Sequence, residues 1–122
     1  MISLEIYKFV HLLGVLTIFL SLGGVFLFAV NGSERKHPWR KRLLITHGLG
    51  IFFAVVAGFG MLARMGISWP WPGWIAIKLA IWVIFAVLPT VIIRTPSWAK
   101  SLWWLVILLG GGAAYLAGQK PF

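Results

Sequence analysis

Cysteine and aspartate are both absent from this 122-residue chain, and the only two acidic residues are Glu5 and Glu34. Without thiols there is no disulfide framework, no thiolate nucleophile and no iron–sulfur ligation. Neither a carboxylate nor a thiolate joins the histidines, so a zinc site has no donor set, and no buried Ser or Cys stands beside a base to make a hydrolase. Charge of any kind is scarce: 11 % of residues are charged, where a soluble domain carries roughly a quarter. What fills the chain instead is apolar, 61 % by count with a mean hydropathy of +0.96. A domain this small has too little interior to hide so much Leu, Ile, Val and Phe. Soluble enzyme and disordered tail are excluded; an integral membrane protein remains.

Four apolar stretches follow, at approximately 4–30, 43–63, 73–93 and 101–118. Each is near or above the roughly 17–20 residues that a helix needs to cross hydrocarbon. Turn-forming residues separate them: Asn31-Gly32-Ser33, Ser68 to Gly73 with Pro70 and Pro72, and Thr95-Pro96-Ser97. The short alternating segments of a membrane β-barrel are missing. The expected fold is therefore all-α, one transmembrane domain forming a four-helix bundle. The first span is too long for a signal-peptide core and lacks a basic start, so it reads as retained.

The net charge of +9 comes from Lys and Arg placed between spans, which marks membrane sidedness rather than nucleic-acid binding. Arg35, Lys36, Arg40, Lys41, Arg42, Arg94 and Lys100 fall on one side, against Lys8, Arg64 and Lys120 on the other. The positive-inside rule puts the first group in the cytoplasm, in a basic linker 31–42 and the third connection, with both termini outside. Trp69, Trp71 and Trp74 are then expected in an outer aromatic belt, and Trp98, Trp103 and Trp104 in an inner one. Small residues four apart, Gly50-Ala54-Gly58 and Gly110-Ala114-Gly118, form faces for close helix packing, within the bundle or against a second copy or a larger membrane complex.

Ionisable residues inside spans are the functional pointers, because each costs about 2.5–3.5 kcal/mol at a helix centre on insertion scales. They are His11, His47 and Lys78. Counted from span midpoints at about 1.5 Å per residue, His11 and Lys78 lie at one level in the outer half and His47 about 18 Å away. Two histidines so far apart do not make a bis-His haem site. A His11–Lys78 pair facing one cavity is allowed by the same geometry. Trp74 and Trp82 flank Lys78 at i−4 and i+4, suited to a cation or a flat conjugated ligand. Tyr7 lies one turn outward of His11 and Gly14 one turn inward, while Glu5, Lys8 and His11 make a polar strip leading in from the surface. Pro89 removes a backbone hydrogen bond within the third helix and should kink it. The alternatives stay open: Lys78 snorkelling to headgroups, His11 hydrogen-bonded to a neighbouring helix, and His47 as a structural histidine at the interface and a secondary site candidate.

The stretches Lys8-Phe9-Val10-His11-Leu12-Leu13-Gly14-Val15 and Gly73-Trp74-Ile75-Ala76-Ile77-Lys78-Leu79-Ala80, with Arg40-Lys41-Arg42-Leu43-Leu44 between them, resemble the four-helix membrane superfamily of HemJ-type protoporphyrinogen oxidases. SirB-type and CopD-type membrane proteins are similar. The resemblance implies that His11 ligates a haem b or related porphyrin, with Lys78 as second ligand or as a propionate or substrate contact. Where HemJ-type proteins continue the first helix with Trp, Arg and a second His, this chain has Val15-Leu16-Thr17-Ile18-Phe19 and Val25-Phe26-Leu27-Phe28, while His47 has its counterpart in the SirB-type group. The expectation is a small multi-pass protein of the bacterial inner membrane that binds haem or porphyrin at His11, Lys78, Trp74, Trp82 and Tyr7, with HemJ-like oxidation as the activity the resemblance would add. A cofactor-free accessory or assembly subunit is the alternative. A small dimeric transporter is third, lacking an embedded carboxylate because Glu5 sits at the rim.

Overall fold

The structure is a computed structural model that describes residues 3–31 and 39–119. Helix α1 spans Leu4–Val30, α2 Arg40–Arg64, α3 Gly73–Arg94 and α4 Ala99–Gln119, with a 3₁₀ turn at Pro96–Trp98 leading into α4. Each of the four is long and apolar enough to cross a membrane, and there is no strand among the described residues. The basic residues Arg35 and Lys36, with His37, lie outside the described residues, as does Lys120.

Local chemistry sets the helix ends. The Ser3 hydroxyl accepts from the Ile6 N–H at 3.3 Å and caps α1, satisfying one of the donors a helix start leaves open. Helix α2 begins earlier than the apolar run: Arg40, Lys41 and Arg42 form its first turn rather than a linker, with the Arg42 guanidinium 4.9 Å from the Trp39 ring centroid. Apolarity marks where hydrocarbon starts; a helix continues through Arg and Lys, which are good helix formers. At its other end Gly66 adopts φ +73°, the Ile67 N–H donates to the Leu62 carbonyl at 3.0 Å and the Gly66 N–H to the Ala63 carbonyl at 3.2 Å. This is a Schellman motif, which needs a left-handed residue after the helix. Gly66→Ala should therefore lower stability by about 1–2 kcal/mol, and Gly66→Asn by less, read as unfolding midpoints in detergent.

Consecutive helices run antiparallel, with α1 touching all three others. Along the α1–α2 seam Tyr7 rests on Gly60, His11 beside Gly58, Gly14 against Ala54 and Gly50, and Gly24 against Leu43, a strict antiparallel register. A Cβ on Gly14 would stand 2.6 Å from the Ala54 nitrogen and 2.8 Å from the Gly50 oxygen, so the two backbones nearly touch there. The Gly50-Ala54-Gly58 face is thus spent inside the bundle. On α4, Gly110 packs under the Phe19 ring, whereas Ala114 is exposed and Gly118 has open space beside it. Ring contacts pair Phe19 with Phe85 of α3 and Phe26 with Trp103 of α4.

The core, centred on Ile18, Leu22, Phe26, Phe85 and Ile92, is ringed by an apolar exterior: Leu20 is 76 % and Leu108 72 % exposed. In water such a surface would drive aggregation; against lipid it is the solvent-matched face. The protein is a multi-pass membrane bundle.

Candidate functional site

A cavity of about 360 Å³ lies at the end of the bundle where α1 begins, α2 runs into α3, and α4 finishes. Its walls come from Lys8 and His11 of α1, the second half of α2 from Ala54 on with its capping Met65, Trp74, Lys78 and Trp82 of α3, and Ala117 of α4. This falls within the roughly 300–1,000 Å³ of small-molecule sites. The lining is mostly apolar, with Lys8, His11 and Lys78 as its ionisable members and no carboxylate side chain.

His11 is held by the close α1–α2 seam. Because Gly14 lets the helices approach, Nδ1 reaches the Ala54 carbonyl of α2 at 2.6 Å. A carbonyl only accepts, so Nδ1 carries the proton and donates. In the neutral ring Nε2 then holds the lone pair. Trp82 stands edge-on to the imidazole, ring centroids 6.1 Å apart. Lys78, half-buried, lines the same cavity. Trp74 is buried at 7 % exposure and lines the same space, whereas Trp69 is 77 % exposed.

Of the residues expected at the site, His11, Lys78, Trp74 and Trp82 come together. Tyr7 does not line the cavity; its ring covers Gly60 on the α1–α2 seam. An outward turn of α1 was the right height but the wrong side, since Gly60 leaves a hollow that takes the ring. Met61 in the last turn of α2 and Met65, the residue that caps it, add two soft thioether side chains to the wall that composition did not single out.

His47 is buried elsewhere in the bundle. Its Nε2–H donates to the Phe85 carbonyl at 2.8 Å, and its Nδ1 lies 3.4 Å from the Ser21 hydroxyl. Helix α3 runs on through Pro89, which has no N–H to give to the carbonyl four residues back, and that carbonyl is Phe85. His47 fills the vacancy that Pro89 leaves, joining α1, α2 and α3. Its Nε2–H is committed to the Phe85 carbonyl, while the Ser21 hydroxyl beside Nδ1 turns its proton to the Thr17 and Ile18 carbonyls of its own helix. Helix rise from the two sites along α1 and α2 puts it on the order of 10–15 Å from His11, somewhat nearer than midpoint counting gives. No cluster of three or more His, Cys, Asp or Glu occurs among the described residues.

No family model matches this chain, and no curated protein or solved structure matches it either.

Proposed function

We propose that this chain is a small membrane protein that binds a haem or related porphyrin in the cavity beside His11. The observation that carries the reading is the state of the imidazole: Nδ1 tied to the Ala54 carbonyl at 2.6 Å, which leaves the lone pair of the neutral ring on Nε2, on a side chain lining an apolar void of about 360 Å³. A backbone carbonyl on one ring nitrogen sets the tautomer and raises the basicity of the other, the arrangement that metal-ligating histidines use. The donor set fits the group: one imidazole, two thioethers in the same wall, and Trp74 and Trp82 to pack a flat macrocycle. When bound, a haem supplies one-electron chemistry, and HemJ-like oxidation of a porphyrinogen is the activity that the resemblance adds. The protein's share is ligation by His11, water exclusion by the apolar wall and a positive charge from Lys78.

The same reading places the protein in a bacterial inner membrane with the cavity and both termini outside. Arg40, Lys41, Arg42, Arg94 and Lys100 stand at the opposite end of the bundle, which positive-inside bias assigns to the cytoplasm. A second reading, docking on a larger membrane complex or a second copy without a cofactor, is favoured by the outward-facing Ala114 and Gly118 of α4.

Loading the detergent-purified protein with haem should give a Soret band shifted from that of haem in empty micelles. His11→Ala should return it to the micelle position, while His47→Leu should leave the band of the folded fraction in place. A wild-type protein that stays colourless after loading overturns the haem reading and leaves the docking one. A band indifferent to His11→Ala overturns ligation by this residue.

A further inference from the structure

At the end of the bundle away from the cavity, Arg40, Lys41 and Arg42 open α2, Arg94 closes α3 and Lys100 lies in the first turn of α4, all of them exposed. Among the described residues the only acidic side chain is Glu5, in the first turn of α1 and about 35–40 Å along that helix from this end. Glu34 lies outside the described residues.

Arg40 is placed differently from the other cations of its turn. It lines an apolar crease with Val25 and Phe28 of α1, Leu43 and Leu44 of α2 and Ile93 of α3. Arg94 follows Ile93 directly and adds a second guanidinium at this end. Arg42 instead holds its guanidinium 4.9 Å from the Trp39 ring centroid, over the ring face. The crease encloses only about 10 Å³, far less than a small-molecule site needs, so its occupant must lie along the outside of the bundle. A cation at the rim of an apolar crease, on a surface that faces lipid, complements an amphiphile with an anionic head and an extended hydrocarbon chain. Arginine's planar fork matches a phosphate oxygen pair, and Leu43 and Leu44, one turn deeper, offer a chain a matching apolar surface.

We propose that this crease seats one anionic phospholipid, its phosphate on Arg40, its charge further offset by Arg94, and one acyl chain along Phe28, Leu43 and Leu44. The seat is separate from the cavity beside His11 and holds whether or not that cavity takes a porphyrin. It also differs from topological bias, which needs only cations at this end and makes Arg40, Lys41 and Arg42 equivalent.

That equivalence is the test. Delipidated protein in detergent is titrated with phosphatidylglycerol, with phosphatidylcholine of the same chains and with soluble glycerol phosphate, and the bound species are counted by native mass spectrometry. Wild type should take up one phosphatidylglycerol about fivefold more tightly than phosphatidylcholine. Glycerol phosphate, which lacks the chains, should bind at least about tenfold more weakly. Arg40→Gln should weaken phosphatidylglycerol about fivefold and leave phosphatidylcholine unchanged, while Lys41→Gln and Arg42→Gln change either by less than about twofold. All three substitutions fall on exposed residues of one helical turn, so each controls for the folding of the others. Equal losses at positions 40, 41 and 42 mean a diffuse surface attraction and overturn the seat. Equal affinity of wild type for the two lipids overturns it too, as does glycerol phosphate binding as tightly as phosphatidylglycerol.

Discussion

Gly14→Leu should separate α1 from α2 and abolish the site that depends on their contact. Even an alanine Cβ would meet the Ala54 nitrogen at 2.6 Å and the Gly50 oxygen at 2.8 Å, and both are backbone atoms that no rotamer change can move. Overpacking of this kind costs about 1–3 kcal/mol for small insertions. Gly14→Ala should fall in that range and Gly14→Leu beyond it. The seam must open by a substantial fraction of an ångström, which lengthens the 2.6 Å contact from His11 Nδ1 to the Ala54 carbonyl. Stability and ligand uptake should therefore fall together. Gly23→Ala is the internal control: it lies on the same helix, nothing stands within 4 Å of its Cβ, and helix propensity should make it neutral or up to about 1 kcal/mol stabilising. Equal effects of the alanine substitutions at 14 and 23 on unfolding in detergent would show that the seam is not the tight contact described.

The second large effect concerns His47 and Pro89. His47→Leu removes the donor from the Phe85 carbonyl in the buried interior of the bundle. An orphaned buried carbonyl costs about 1–3 kcal/mol. Pro89→Ala restores an N–H at position 89 and with it the helical bond back to Phe85. In that background His47→Leu should cost at least about 1 kcal/mol less than in wild type, a coupling that a double-mutant cycle measures directly. Additive costs would mean that the histidine stabilises the bundle through packing alone. Ser21 makes the cycle cleaner, because its hydroxyl keeps the Thr17 and Ile18 carbonyls at 2.9 and 3.0 Å when the imidazole is removed.

Pro89 also shows how far sequence reading reaches. The missing N–H four residues from Phe85 is legible in the sequence, and so is a buried donor-bearing residue in another span. That His47 answers Phe85 is not legible, because the match depends on the height at which α2 passes α3. The same holds for His11. Its level with Lys78 follows from counting residues along the first and third spans, and the two do line one cavity. Its bond to Ala54 requires the α1–α2 register, which is set by Gly14, Gly50 and Ala54 closing on one another. Tyr7 differs from its expected place for a related reason: hydropathy ranks depth well, but says little about which side of a helix meets a neighbour.

Composition and run length alone determined that the chain is a set of four membrane-length helices, since hydrocarbon demands about 20 apolar residues and internally satisfied backbone from any span. They also placed the costly polar residues along those spans. Only the tertiary structure decided which of them share a void. Side-chain meetings between helices depend on axial shifts of a residue or two and on rotation about each axis. These are fixed where backbones touch at glycine, and no single span contains that information.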